Sequence, residues 1–312
     1  MRPILRPGTH VLRRDDHELQ VGLDPQRAVI LPDRPDVRDC LERLGRAAEI
    51  AEYDGRATGE YAACSTLGLL TGNDLVLDAN VLLPLMPARD PEGERPSRRP
   101  ASRQPVSRVE VAALARSAGD GTGARLGSRT RTRATVVSFG NGPGAGLAEE
   151  LPGLLLEAGL RVNRTGGHDV IALVGVGEPH RELADPWMRA GTPHVVVRAT
   201  EGSMTVGPFV VPGETACLRC IDAHHTDADP SWPLLVAQYA SLTSRERADG
   251  VPEPVDGMVA RVALAWAARD LTSYAEGRRP STWSATIRFD AHLSSVEARS
   301  WLRHPECGCC WQ

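Results

Sequence analysis

The sequence contains no lysine; all 36 of its Lys/Arg positions are arginine. That excludes Schiff-base chemistry on a lysine amine and the phosphate-gripping lysine of a P-loop, so any nucleotide chemistry would fall to arginine. No apolar run approaches the roughly 20 residues of a membrane-spanning helix. Met1-Arg2-Pro3-Ile4-Leu5-Arg6-Pro7 also lacks the apolar centre of a secretory signal. There is no surplus of basic charge either: the net charge is -4, which gives no global field for recruiting nucleic acid. These absences predict a cytoplasmic protein, with neither membrane nor nucleic acid as partner and with its thiols reduced. The rest is ordinary for a globular chain, 41% hydrophobic and 24% charged. Its 312 residues suffice for about two domains.

Five of the seven cysteines fall in two knots, Cys217-Leu218-Arg219-Cys220 and Cys307-Gly308-Cys309-Cys310. Two short-spaced groups far apart in sequence suit a closed tetrathiolate zinc site. Each tight turn presents two sulfurs, and folding completes the tetrahedron. A reduced compartment favours metal over disulfides. Cys217 and Cys220 supply one pair, and two of Cys307, Cys309 and Cys310 supply the other. Arg219, Arg303 and His304 are close enough in sequence to offset the remaining negative charge. Four cysteines fill a zinc shell, so His224 and His225 are expected in packing or partner contacts. Cys40 and Cys64 fall on apolar helix faces and read as inert core thiols.

Residues 1–86 open with three alternating segments, Thr9–Arg13, Glu18–Leu23 and Ala28–Leu31, separated by turns. A helix follows from Pro35, with Val37, Cys40, Leu41 and Leu44 at helical spacing. A second spans Glu60–Leu70, with Tyr61, Cys64, Leu67 and Leu70 on one side. Asp74–Asp78 reads as a small strand, or wing. Strands, helices and a wing predict a winged helix-turn-helix. A DNA reader needs a basic recognition helix, and Thr58–Thr71 has no arginine. The sheet edge could instead take an extended peptide as an added strand.

Residues 87–133 are rich in Pro, Arg, Ser and Gly and read as a linker interrupted by a short helix, Arg108–Ala118. Residues 134–312 begin with the strand Ala134–Phe139, a glycine loop and a helix, the opening of a Rossmann-like unit. Gly140, Gly142 and Ala145 fit G-x-G-x-x-A, and Gly144 lies in the same loop. Pro143 removes a backbone donor there. No acid for a ribose occurs in Leu160–His168, and Asp169 is expected to cap the strand Val170–Val174. The fold is therefore expected without a working nucleotide site. Further strands at His194–Arg198 and Met204–Val210, with a helix at Pro179–Ala190, predict a mostly parallel sheet. Asp256–Tyr274 reads as a helix burying Met258, Val262, Ala265, Trp266, Arg269 and Leu271 on one face. Thr286–Asp290 and Ser295–Trp301 read as a closing antiparallel pair that carries the last cysteines toward the first.

The motif Pro212-Gly213-Glu214-Thr215-Ala216-Cys217-Leu218-Arg219-Cys220, with Asp229-Pro230-Ser231-Trp232-Pro233 and the terminal His304-Pro305-Glu306-Cys307-Gly308-Cys309, resembles the TOMM precursor leader peptide-binding proteins. These are ThiF-like (ubiquitin-activating-enzyme-like) partners of YcaO cyclodehydratases in thiazole/oxazole-modified peptide and bacteriocin biosynthesis. The resemblance covers nearly the whole chain, by layout only at the N-terminus. It implies an α/β protein in which residues 1–86 act as a RiPP recognition element. The leader of a ribosomal precursor peptide would add along Val29, Ile30 and Leu31, beside Tyr61 and Leu67 of the neighbouring helix. The ThiF-like body would hold structural Zn2+ and dock YcaO, which carries out the ATP-dependent cyclodehydration of Cys, Ser or Thr. This chain would then need no catalytic residue and no ATP. The terminal motif of that family places the fourth sulfur at Cys309; the C-x-x-C spacing of adenylating relatives keeps Cys310 as the alternative. A homodimer stays open. The competing reading is an ATP-dependent adenylating enzyme acting on a peptide carboxylate, with Arg161, Arg164 or Arg198 facing phosphate.

Overall fold

The structure, a computed structural model, describes residues 2–6, 8–46, 58–73, 75–79, 110, 114, 118, 121–140, 146–163, 167–243 and 247–309. The chain divides into two compact units: Met1–Arg103 with Leu234–Pro252, and Gln104–Pro233 with Glu253–Gln312.

The first unit contains strands β1 (Pro3–Leu5), β2 (Val11–Arg13), β3 (Glu18–Val21) and β4 (Val29–Pro32), helices α1 (Pro35–Gly45) and α2 (Thr58–Gly72), and strand β5 (Val76–Asp78). β2, β3 and β4 form an antiparallel sheet in that order. β5 pairs with β1, a strand the sequence reading leaves out. α1 starts on Pro35, whose missing N–H costs nothing in a first turn. Its Val37, Cys40, Leu41 and Leu44 face inward against Leu31 and Leu70. Cys40 is thus a core thiol, while the side chain of Cys64 lies outside the described residues. β4 alternates: Val29 and Leu31 are buried, Ile30 is exposed.

The second unit contains α3 (Thr122–Arg131), β6 (Arg133–Phe139), α4 (Leu147–Glu157), β7 (Arg161–Val162), β8 (Val170–Val176), a 3-10 turn (Arg181–Ala184), α5 (Asp185–Ala190), β9 (His194–Thr200), β10 (Ser203–Val210) and α6 (Leu218–Ala228). Helix α7 (Trp232–Thr243) begins in this unit, and its residues from Leu234 on belong to the first. After α8 (Gly257–Ala275), strands β11 (Ala285–Phe289) and β12 (Val296–Ser300) complete the unit. Its seven strands form one mixed sheet, ordered β12-β11-β10-β9-β8-β6-β7. β7, β6, β8 and β9 are parallel, and β10, β11 and β12 are antiparallel to their neighbours. The expected mostly parallel sheet is therefore mixed. The cause is the two-residue turn between β9 and β10: Glu201 and Gly202 both have positive φ, the mark of a tight hairpin, which leaves no room for a crossover. All seven residues of β8 are buried, as a strand covered on both faces requires. Gly175 must be glycine, because a Cβ there would lie 2.2 Å from the Phe139 carbonyl oxygen.

Three further expectations need correction. The face of α8 that packs on the sheet carries Val259, Ala260, Ala263, Leu264, Ala267 and Leu271, while Met258, Val262, Ala265 and Arg269 face solvent. Both stripes have helical spacing; the small one won because alanines let the helix approach the sheet closely. The helix expected over Pro179–Ala190 is a 3-10 turn and a short helix, restarted at Asp185-Pro186, where Pro186 has no N–H to continue the first. Asp169 accepts from the Arg133 backbone N–H at 2.8 Å and pairs with its guanidinium, so it fixes the start of β6 rather than its own strand. Of Arg108–Ala118, only Glu110, Leu114 and Ala118 are described.

Candidate functional site

The two cysteine groups meet. β10 runs into a turn at Val211-Pro212-Gly213-Glu214-Thr215, held by a 2.7 Å bond from the Val211 N–H to Thr215 Oγ1. Cys217 then caps the N-terminus of α6, and Cys220 lies in its first turn. A helix N-terminus carries partial positive charge, which favours a thiolate. From the other side, β12 leads to buried Trp301, whose Nε1 donates to Thr286 Oγ1 at 3.0 Å. A 3-10 turn, Pro305–Cys307, ends at Gly308, which has φ of 78°. That left-handed residue turns Cys307 and Cys309 toward the same point.

The sulfur separations are 3.8 Å for Cys217–Cys220, 3.4 Å for Cys217–Cys307 and 3.4 Å for Cys220–Cys309. All four Sγ atoms lie within 4.8 Å of one another. Zinc–sulfur bonds of about 2.3 Å in a tetrahedron set sulfurs about 3.8 Å apart. The cluster therefore has the size and the all-thiol donor set to hold such an ion, and its sulfurs are too far apart for disulfides, which need about 2.05 Å. Hydrogen bonding to Cys220, then to Cys307, together with burial pushes the Cys217 thiol far up; the same contact holds Cys220 down. Cys310 lies outside the described residues.

The surroundings are more specific than the sequence suggests. His304 Nδ1 accepts from the Glu306 N–H at 3.2 Å, which leaves Nε2–H to donate to Asp227 Oδ2 at 3.1 Å. This ties the terminal turn to α6. His224 Nε2 bonds the Leu302 carbonyl at 2.9 Å, and His225 stacks on Trp232 with centroids 4.3 Å apart. Both histidines thus make contacts within the unit, and His224 also stands with Asp227 and His304 in a group whose ligand atoms lie within 4.8 Å of one another. Arg219 pairs with Asp185 at 2.7 Å, and Arg303 donates to the Gly213 carbonyl. The supporting bonds of Trp301 and Asp227 have no signal in the sequence beyond their closeness to the cysteine motifs.

A second group of polar side chains fills the crevice at the carboxyl ends of β8 and β9. Arg181 grips Asp222 with two bonds, at 2.6 and 2.8 Å, and reaches Glu178 at 2.9 Å. Arg198 pairs with the other oxygen of Glu178 at 2.7 Å. Trp232 Nε1 donates to Asp222 at 3.0 Å. Burial works against the charge on Arg181, but Glu178 and Asp222 outweigh it and raise its pKa. Gly140, at φ of 76°, has its Cβ position 2.7 Å from the Val176 carbonyl oxygen, so strand packing alone requires glycine there. Gly142, Gly144 and Arg164 lie outside the described residues, and Arg161 is exposed on β7.

In the first unit, the two edges of the three-stranded sheet differ. On β2, the Gln238 side chain mimics a strand: its Oε1 accepts from the Arg13 N–H at 2.8 Å and its Nε2 donates to the Arg13 carbonyl at 2.6 Å. Among the described residues, β4 has no strand on its outer side. Val29 and Leu31 point into the core, Ile30 is 51% exposed and Leu67 is half-buried against the same core. The Tyr61 side chain lies outside the described residues.

No protein-family model and no curated protein matches the chain. Solved structures do. The heterocyclase TruD superposes with a TM-score of 0.51 at 17% identity, over 99% of this chain and 42% of that one. A heterocyclase in complex with substrate and cofactor gives 0.51 at 15% identity, over 99% and 39%. E. coli MccB with SeMet MccA gives 0.48 at 12% identity, over all of both chains. The chain thus spans about two fifths of the length of the heterocyclases. At these identities the likeness to the two heterocyclases is one of fold.

Proposed function

We propose that this protein is a peptide-binding scaffold of a ribosomal-peptide modification pathway. An extended leader segment of a precursor peptide adds as a fourth strand on β4. The second unit, clasped by a Zn2+ ion on Cys217, Cys220, Cys307 and Cys309, docks a YcaO cyclodehydratase, which performs the ATP-dependent azoline formation. The chain's role is to raise the local concentration of substrate at that partner. The observation that carries this reading is the asymmetry of the small sheet. Gln238 blocks the β2 edge, while among the described residues no strand lies outside β4, which presents Ile30, and strand addition needs an unpaired edge with apolar contacts beside it. The fold shared with TruD, a heterocyclase, supports the same pathway class.

The test is Ile30→Asp, in fluorescence anisotropy with a labelled leader from a short Cys/Ser/Thr-rich reading frame beside the gene. Ile30 is half exposed, so the fold should survive. Covering the rest of an isoleucine contributes about 1 kcal/mol, and a carboxylate facing apolar groups costs more. Binding should weaken about 10- to 100-fold, with metal content unchanged. Unchanged affinity would place the peptide elsewhere.

A further inference from the structure

β12 is the last strand of the seven-stranded sheet, and all five of its residues are exposed. Its inner side pairs residue for residue with β11 without a bulge. Among the described residues, no strand meets its outer side. Edge strands are usually blunted by proline, a bulge or charged side chains, because a bare edge invites another chain. β12, Val-Glu-Ala-Arg-Ser, has no proline and no bulge, and its two charges, Glu297 and Arg299, are of opposite sign, so they repel a second strand only in some registers. It is also held rigid at both ends. Asp290 accepts from Ser294 N–H at 2.8 Å in the hairpin turn, and the Trp301 N–H donates to the Ser284 carbonyl at 2.7 Å. Exposed apolar side chains lie along it: Val296 at 55%, Leu293 at 43% and Leu302 at 78%.

We propose that β12 is a dimerisation strand that takes the β12 of a second copy of this chain. The strand is complementary to itself in one register. Glu297 and Arg299 lie two apart, on one face. Two antiparallel copies crossing at Ala298 place Glu297 opposite Arg299 of the second copy, and the two-fold axis repeats the pair. Crossing at Glu297 would oppose two glutamates, and crossing at Arg299 two arginines. The charges therefore select the Ala298 register and disfavour its neighbours. Arg299 is already placed, its guanidinium 3.9 Å from the Trp301 ring centroid. The joined sheets would run on across the axis.

Sedimentation velocity of the full chain across a concentration series tests this. The wild type should reach twice its 33.6 kDa mass. Glu297→Arg turns both cross-strand pairs into arginine against arginine, and Arg299→Glu into glutamate against glutamate. Each should raise the concentration of half-dimerisation at least about tenfold. An equal mixture of the two variants should dimerise again, because each then faces the opposite charge. Both positions are exposed, and circular dichroism verifies that the variants are folded. A wild type that stays monomeric, a dimer insensitive to both substitutions, or a mixture that fails to restore dimers would overturn the assignment. Restoration in the mixture is specific to this register, so a dimer formed through another surface would not mimic it.

Discussion

Replacing Cys309 with serine isolates what the thiol cluster contributes. A serine hydroxyl does not ionise near neutral pH, so the donor set falls from four thiolates to three. The link from Cys217 to Cys307 spans 90 positions. In a bare chain, closing a loop of that size is worth about 4.6 kcal/mol. That figure is too large here, because β12 is already laddered onto β11 and Trp301 is buried. Only the tail beyond Trp301, about eight residues, is left for a metal to order, and closing so short a loop is worth about 2.5 kcal/mol. In a unit of this size that corresponds to about 5–10 °C in Tm. Zinc released to a chromogenic chelator gives stoichiometry, and a thermal scan gives the stability. The wild type should carry one zinc per chain. Cys309→Ser should lose it with the stated drop in Tm, and Cys310→Ser should change neither. Retention of zinc in Cys309→Ser with loss in Cys310→Ser would refute the ligand set. A drop far beyond 10 °C would refute the argument that the tail is already anchored.

Two other outcomes follow from buried groups. Burial holds His194 down to about 4, so between that value and its ordinary pKa near 6.5 the unfolded chain takes up a proton that the folded one refuses. Stability should therefore fall as pH drops from about 6.5 to 4, by up to about 3 kcal/mol, and urea melts of His194→Gln should show a flatter slope through that window. Asp270, 2% exposed, accepts from the N–H and hydroxyl of Ser281 at 2.7 and 2.8 Å, and from those of Thr282 at 2.9 and 2.5 Å. Asp270→Ala strands four donors, and calorimetry should show a loss of about 3–5 kcal/mol, with partial recovery in Asp270→Asn.

The elements legible in the sequence were those whose signal is local. β8 reads as a strand because Val-Ile-Ala-Leu-Val is a buried run, and α1 because Pro35 and the apolar spacing agree. The thiol cluster was legible because two turns with close cysteines have few other uses. What failed was decided by long-range packing. Neither the pairing of β1 with β5 nor the choice between two stripes of α8 leaves a local trace. The Gln238 cap joins positions 225 apart, and nothing in the sequence around either marks it. The turn at Glu201-Gly202 was readable in principle, since glycine beside two strand runs signals a hairpin.

The crevice limits what Arg198 could do for a nucleotide. In doubly wound sheets, ligands bind outside the carboxyl ends of the strands. Here two arginines and two carboxylates meet at that place and cancel in charge. Turning Arg198 toward a phosphate would strip one partner from Glu178, whose side chain is only 6% exposed. Breaking a buried pair of this kind costs about 3–5 kcal/mol, comparable with what a new charge-assisted contact returns. Of the arginines that a lysine-free chain offers for phosphate, Arg198 is thus committed to the chain's own Glu178, while Arg161 is exposed on β7. A committed Arg198 is in keeping with the proposal that this unit holds binding surfaces in place and leaves nucleotide chemistry to its partner.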